Sequence, residues 1–187
     1  MSEISFTSSI RGVSSTEFNR LISKCTKQNF VDYPWTIKET KKAADVYTKS
    51  IADCTACVIS DGQEAVMLHL SPENSNNHAF SLVLQHLRNL IDLKNPNLQA
   101  ILVGSKNTSK SQDIFSKFKI LLEQLNIPYS TLKNSSKPVN IAYSSTNDEI
   151  IVSNIDIDKK IRKGLASKDV LTSAFEKIDI ANCDNLA

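Results

Sequence analysis

The chain has 187 residues, 41% of them hydrophobic and 22% charged, with a formal net charge of +2. That length suits one well-buried domain, and such a balanced charge argues against nucleic acid as a partner, since the densest basic run, DKKIRKG at 158–164, is short enough to be a solvated helix face. No apolar run approaches the roughly 20 residues of a membrane-spanning helix, so no membrane partner is expected.

The start, MSEISFTSSIRG, lacks a basic stretch followed by a long apolar segment, and cysteines fall irregularly at 25, 54, 57 and 183. Both features fit a protein of the cytoplasm, or one secreted without a cleaved leader into another reducing compartment.

In chain order, residues 3–10 alternate apolar and polar, as a first strand would. Ser14 or Ser15 can cap a helix carrying Phe18, Leu21, Ile22 and Cys25 on one face, with Glu17 in its first turn. Residues 30–37, FVDYPWTI, are β-leaning but confined by Pro34 to an edge or a bend, and Trp35 reads as a packing residue. After a polar stretch, residues 55–60 and 64–70 form two short apolar runs around Asp61-Gly62, a strong hairpin signal.

A polar loop at 72–77 leads to a helix through Phe80, Val83, Leu84, Leu87, Leu90 and Ile91. Residues 98–104 read as a buried strand. A helix over 112–125 follows and stops at Asn126-Ile127-Pro128. Three short strands are expected at 127–132, 139–145 and 149–154, and a closing helix over 156–180 with Gly164 as its weak point. Strands mixed with three or four helices imply one α/β or α+β domain, a mixed sheet or β-sandwich flanked by helices.

The chemistry-bearing residues gather around the hairpin. Cys54 lies at the entrance to its first strand, Cys57 three residues further in on the opposite face, and His69 returns toward the Cys54 end on the second strand. A thiol and an imidazole so placed are the minimum for a cysteine nucleophile with a general base. The polar loop after His69, with Ser71, Asn76 and Asn77, can line a substrate slot.

Other readings compete. A buried cysteine and a lone histidine in a strand are commonly packing residues. Cys54, Cys57, His69 and His78 could supply four zinc ligands, although a second ligand pair at zinc-site spacing is missing. A thioredoxin-like redox motif wants its Cys-x-x-Cys at the start of a helix, whereas here Val58-Ile59 and a turn follow. His78 and His86 read as structural or exposed.

Thr48, Cys54, Asp61, His69 and Pro72 in this order and spacing resemble the superfamily that joins the chemoreceptor glutamine deamidase CheD, the catalytic domain of the cytotoxic necrotizing factor toxins and the YfiH-type laccase-domain proteins. In the CheD-like pattern a threonine stands six residues before the cysteine, an aspartate seven after it, and a histidine in the following strand precedes a proline. The succession of helix, AILVG strand, helix ending LLEQLNIPY and a β-pair ending EIIVSN is similar over residues 46–154, while IADC at 51–54 looks like the YfiH-type "ADC". Ala52-Asp53 and Gln63-Glu64 stand where CheD-like chains have Gly-Ser and Gly-Gly.

The resemblance implies a CheD-like layered fold with no metal and no cofactor, acting on glutamine in a protein substrate. Cys54 would be the nucleophile and His69 its base, with Thr48 positioning substrate or donating to the oxyanion. Transglutamination, or an inert binding module on the same scaffold, are the alternatives.

Overall fold

The computed structural model describes residues 9–25, 27–31, 37–40, 45–62, 65–104, 108–133, 137–165 and 177–181. The elements run β1 (Ser9–Gly12), α1 (Ser15–Ile22), β2 (Ile37–Thr40), β3 (Val46–Ile51), β4 (Thr55–Ser60), β5 (Ala65–Leu70), α2 (Asn77–Leu90), β6 (Gln99–Gly104), α3 (Ser109–Gln124), β7 (Tyr129–Lys133), β8 (Val139–Ser144), β9 (Glu149–Ser153), α4 (Ile155–Arg162) and β10 (Lys177–Ala181). They build two mixed sheets, a four-stranded one in the order β1-β9-β8-β3 and a six-stranded one in the order β10-β7-β6-β4-β5-β2. Pairing is parallel between β1 and β9 and between β6 and β7, and antiparallel elsewhere.

Alternation along β4 explains the layering. Ala56 and Val58 point into a core shared with Ile141, Tyr143, Ile150 and Val152 of the smaller sheet, while Cys57 and Ile59 face Val83, Leu87, Ile114, Phe115 and Phe118 of α2 and α3. A strand buried on both faces reads as a continuous apolar run, as TACVIS does. On the outer face of the smaller sheet, Phe18 and Ile22 of α1 cover Ala142 and Ile151. The result is an α+β sandwich of two sheets with helices on both outer faces, and no helix among the described residues is long and apolar enough to cross a membrane.

A polar clamp ties the sheets at the hairpin end. Ser60 Oγ lies 2.9 Å from Tyr143 Oη and accepts from the Gly62 amide, while Tyr143 donates to Asp148 at 3.1 Å. Burial, outweighing the Ser60 bond, pushes the phenol up to about 12, so it stays protonated as a donor.

The hairpin, both long helices, the 98–104 strand and the three short strands form where the pattern places them. The α1 cap is Ser14, whose Oγ accepts from the Glu17 amide. Some expectations need correction, and others reach beyond the described residues. The first strand is Ser9–Gly12, and the 3–8 part of the expected range lies outside the described residues. Cys25 sits beyond the last residue of α1 and half-exposed, not on its buried face.

In FVDYPWTI, Phe30 bridges to Tyr47 and Ile37 opens β2 opposite Leu68, while residues 32–36, Pro34 and Trp35 among them, lie outside the described residues. The closing helix ends at Arg162, because Gly164 turns the chain through a left-handed φ of 84°. Residues 177–181, expected as helix, instead form a strand on the free edge of β7.

Candidate functional site

Three elements deliver the three residues. His69 comes from β5, Cys54 from the bend just before β4, and Thr48 from β3 in the opposite sheet. The hairpin register pairs Ala56 with His69 and Thr55 with Leu70. Ala56 packs in the inter-sheet core, Cys54 packs against the same core, and His69 shares that face as the cross-strand partner of Ala56. Thiol and imidazole thus both border the inter-sheet core at one end of the hairpin, His69 from within the ladder and Cys54 from the bend just beyond its last pair.

β3 was not anticipated, because Thr48, Lys49 and Ser50 give VYTKSI a polar look. Its Val46 and Thr48 nevertheless face inward, and a register shift before Ile51, with Ser50 at φ 59°, carries the chain toward Cys54. Thr48 is fully buried. Its hydroxyl donates to the Val31 carbonyl at 2.7 Å and lies 2.7 Å from His69 Nδ1.

A carbonyl can only accept, so the single hydroxyl proton belongs to Val31 and Oγ1 accepts from Nδ1–H. In the neutral ring this fixes the tautomer and leaves the basic lone pair on Nε2. Thr48 is therefore committed to orienting His69 and has no proton for a substrate or an oxyanion, which corrects the role expected for it. Thr48→Val should lower turnover by about tenfold to a hundredfold, as loss of a partner that orients a functional imidazole does elsewhere, while circular dichroism stays native. A variant turning over at the full rate would remove Thr48 from the site.

The thiol is half-buried, and its pKa is pushed up to about 11, first by desolvation and then by the charges of Asp53 and Glu73. At neutral pH Cys54 is accordingly a neutral thiol, and a base must take its proton as it reacts. Cys57 faces the helical layer, fully buried, and desolvation raises its thiol further. Cys54, just before β4, thus packs on the inter-sheet side and Cys57, within β4, on the helical side, both as free thiols. His78 is exposed on α2, so the four residues weighed as zinc ligands do not converge.

The loop residues divide. Ser71, directly after Leu70, which closes the ladder opposite Thr55, is fully buried and donates to Glu73 Oε2 at 2.8 Å. Asn76 caps α2 by accepting from the Ala79 amide and donates to the Glu73 carbonyl. Asn77 opens α2 and accepts from Lys117 of α3 at 3.4 Å, in a groove with Phe80, Leu84 and Ile120. Both asparagines thus serve the helical layer, whereas Ser71 follows the end of β5 that pairs with the start of β4. Asp61 sits in the hairpin turn, where it accepts from Asn95, and Pro72 opens a 3₁₀ turn over Pro72–Ser75.

Sequence reasoning missed Val31, Glu73 and Gly104. Val31 acts through a backbone carbonyl and leaves no trace in residue type. Gly104 ends β6 where a Cβ would stand 2.7 Å from the Cys54 carbonyl oxygen, so glycine there lets β6 approach the Cys54 backbone. No protein-family model and no curated protein matches the chain.

Proposed function

We propose that the protein is a cysteine-dependent amidohydrolase that converts glutamine in a target protein to glutamate. The observation that carries the catalytic half of this reading is the Val31–Thr48–His69 chain, which aims a basic Nε2 from the face that Cys54 shares. The glutamine half rests on the CheD-like order of Thr48, Cys54, Asp61, His69 and Pro72.

As Cys54 Sγ bonds to the carboxamide carbon, His69 Nε2 takes the thiol proton and the carbonyl oxygen becomes an oxyanion. The imidazolium then protonates the amide nitrogen, the C–N bond breaks, and ammonia leaves a thioester. His69 next removes a proton from water as its oxygen attacks the thioester. The C–S bond breaks, the imidazolium returns the proton to sulfur, and glutamate and the free thiol result. Thr48 keeps the ring in the reactive orientation throughout. The enzyme acts where thiols stay reduced, in the cytoplasm or, for a secreted effector, in a host cytosol, and its partner is the glutamine-bearing protein.

A second reading, a binding module with an inert thiol, draws on the raised thiol pKa. Intact mass of candidate targets separates the two, because each deamidation adds roughly one dalton. Cys54→Ala should abolish that gain, and a Cys54→Ala chain that still produces it would end the deamidase reading. Adding a primary amine to the assay and finding an amine adduct in place of the acid would reassign the reaction to transglutamination.

A further inference from the structure

A cavity of about 240 Å³ opens on the outer face of the smaller sheet, the face turned away from Thr48 and His69. Ala142 and Ile151, paired across β8 and β9, give it an apolar floor, and Leu21 and Ile22 of α1 give it an apolar wall. The same register sets Ser144 opposite Glu149 on that face, one step toward the strand ends. Asp45 joins them at that end, because it stands directly before β3, whose Val46 pairs with Tyr143.

The ionic groups around the cavity differ in how they are satisfied. Arg11 donates to both Glu149 oxygens, at 2.7 and 3.2 Å, and to Glu17 at 2.8 Å, so its guanidinium is spent on two carboxylates. Asp45 is held only through its backbone carbonyl, which accepts from Asn29. Its Oδ1 is shut off from solvent and has no hydrogen-bond partner among the described residues, so the carboxylate forgoes water there without gaining a donor. We propose that this cavity binds a primary ammonium group carried on a short apolar stem, with the ammonium against Asp45 and the stem over Ala142 and Ile151.

Size and charge select that chemistry. The volume lies below the roughly 300–1,000 Å³ of sites for drug-sized ligands, which leaves room for a group the size of an amino-acid side chain. An ammonium brings three donors in a compact head, as one carboxylate beside an apolar floor requires. An anion is disfavoured, because Arg11 and the exposed Lys24 at the rim face three carboxylates, Glu17, Glu149 and Asp45. A free amine and the lysine side chain of a partner protein carry the same head and stem. The site stands apart from the deamidase reading, and its failure would leave the thiol and imidazole untouched.

The test titrates butylammonium, butanol and butyrate, three probes of one shape, into the full isotope-labelled chain and follows its amide resonances. Butylammonium should move those of Asp45, Ser144 and Glu149 saturably, at roughly millimolar concentrations, and leave those of Cys54 and His69 in place. Butanol should bind about tenfold more weakly, and butyrate should not bind. Asp45→Asn keeps the side-chain shape and should reduce butylammonium to the level of butanol. The wild-type series decides by itself should that variant fold poorly: equal effects of the three probes, or no saturable shift with butylammonium, overturn the proposal. Nα-acetyl-lysine methylamide separates the two sources, since binding at least as tight as butylammonium identifies a partner's lysine and weaker binding identifies a free amine.

Discussion

Under the proposed mechanism, His69→Gln should cut deamidation by about 10²–10⁴-fold, the range general-base catalysis contributes, without unfolding the protein. The glutamine amide can still donate to Thr48 Oγ1, so the packing between the sheets survives while the proton acceptor disappears. What remains must proceed through the free thiolate. With the Cys54 pKa at about 11, only roughly one thiol in ten thousand is ionised at pH 7, and that fraction grows about tenfold per pH unit until the pKa is reached.

The sign of the pH dependence follows. Burial and the neighbouring carboxylates favour the protonated thiol, so the variant's rate should climb steadily through the alkaline range, whereas a wild-type rate that uses His69 as base should not track the thiolate fraction. Ammonia release against pH, or intact target mass, measures both profiles. A His69→Gln enzyme with the wild-type profile would show that the imidazole is not the base, whatever the orientation Thr48 imposes on it.

Gly104→Ala should destabilise the fold by roughly 2–5 kcal/mol and disable the site with it. The residue has a φ of 147°, a region an L side chain rarely adopts. Its Cβ would also stand 2.7 Å from the Cys54 carbonyl oxygen and 3.0 Å from Thr55 Cα. Both contacts are backbone, and β4 and β6 are locked neighbours through the pairing of Ala56 with Val103, so relief requires moving the start of β4 and Cys54 just before it.

Gly164→Ala makes a suitable control. That glycine also has a positive φ but nothing lies within 4 Å of the added carbon, so strain alone should cost about 1 kcal/mol. Urea unfolding of the two variants checks the difference. Equal losses would mean that the close approach of β6 to Cys54 is not a tight constraint.

How legible the fold was depended on where each face is buried. TACVIS and AVMLHL are covered on both sides and announce themselves as apolar runs around a hairpin turn, and α2 and α3 present their apolar residues at helical spacing to the larger sheet. VYTKSI does not, because the inward residue that matters is a threonine whose burial is tolerable only once His69 and the Val31 carbonyl satisfy it. KIDIA alternates with period two, but it follows a long stretch compatible with a helix, and only the open edge of β7 gives it a partner.

The site was legible to the same degree. Cys54 and His69 could be paired from the hairpin because strand periodicity is local, and the opposite facing of Cys57 follows from the same rule. Ser71 follows His69 and Leu70 at the end of β5, whereas Asn76 and Asn77 went to the helical layer, because a polar loop that ends in a helix also has to cap it.

What the sequence determined by itself, then, was an α+β sandwich pattern and a thiol and imidazole on one strand face. The tertiary structure alone decided which nitrogen of His69 is basic, what Thr48 does, and the protonation of Cys54. Those three depend on a carbonyl 17 residues from Thr48, on a strand of the other sheet, and on the burial and charges around the sulfur. Such contacts are set by how the sheets pack, and residue order along the chain does not encode them locally.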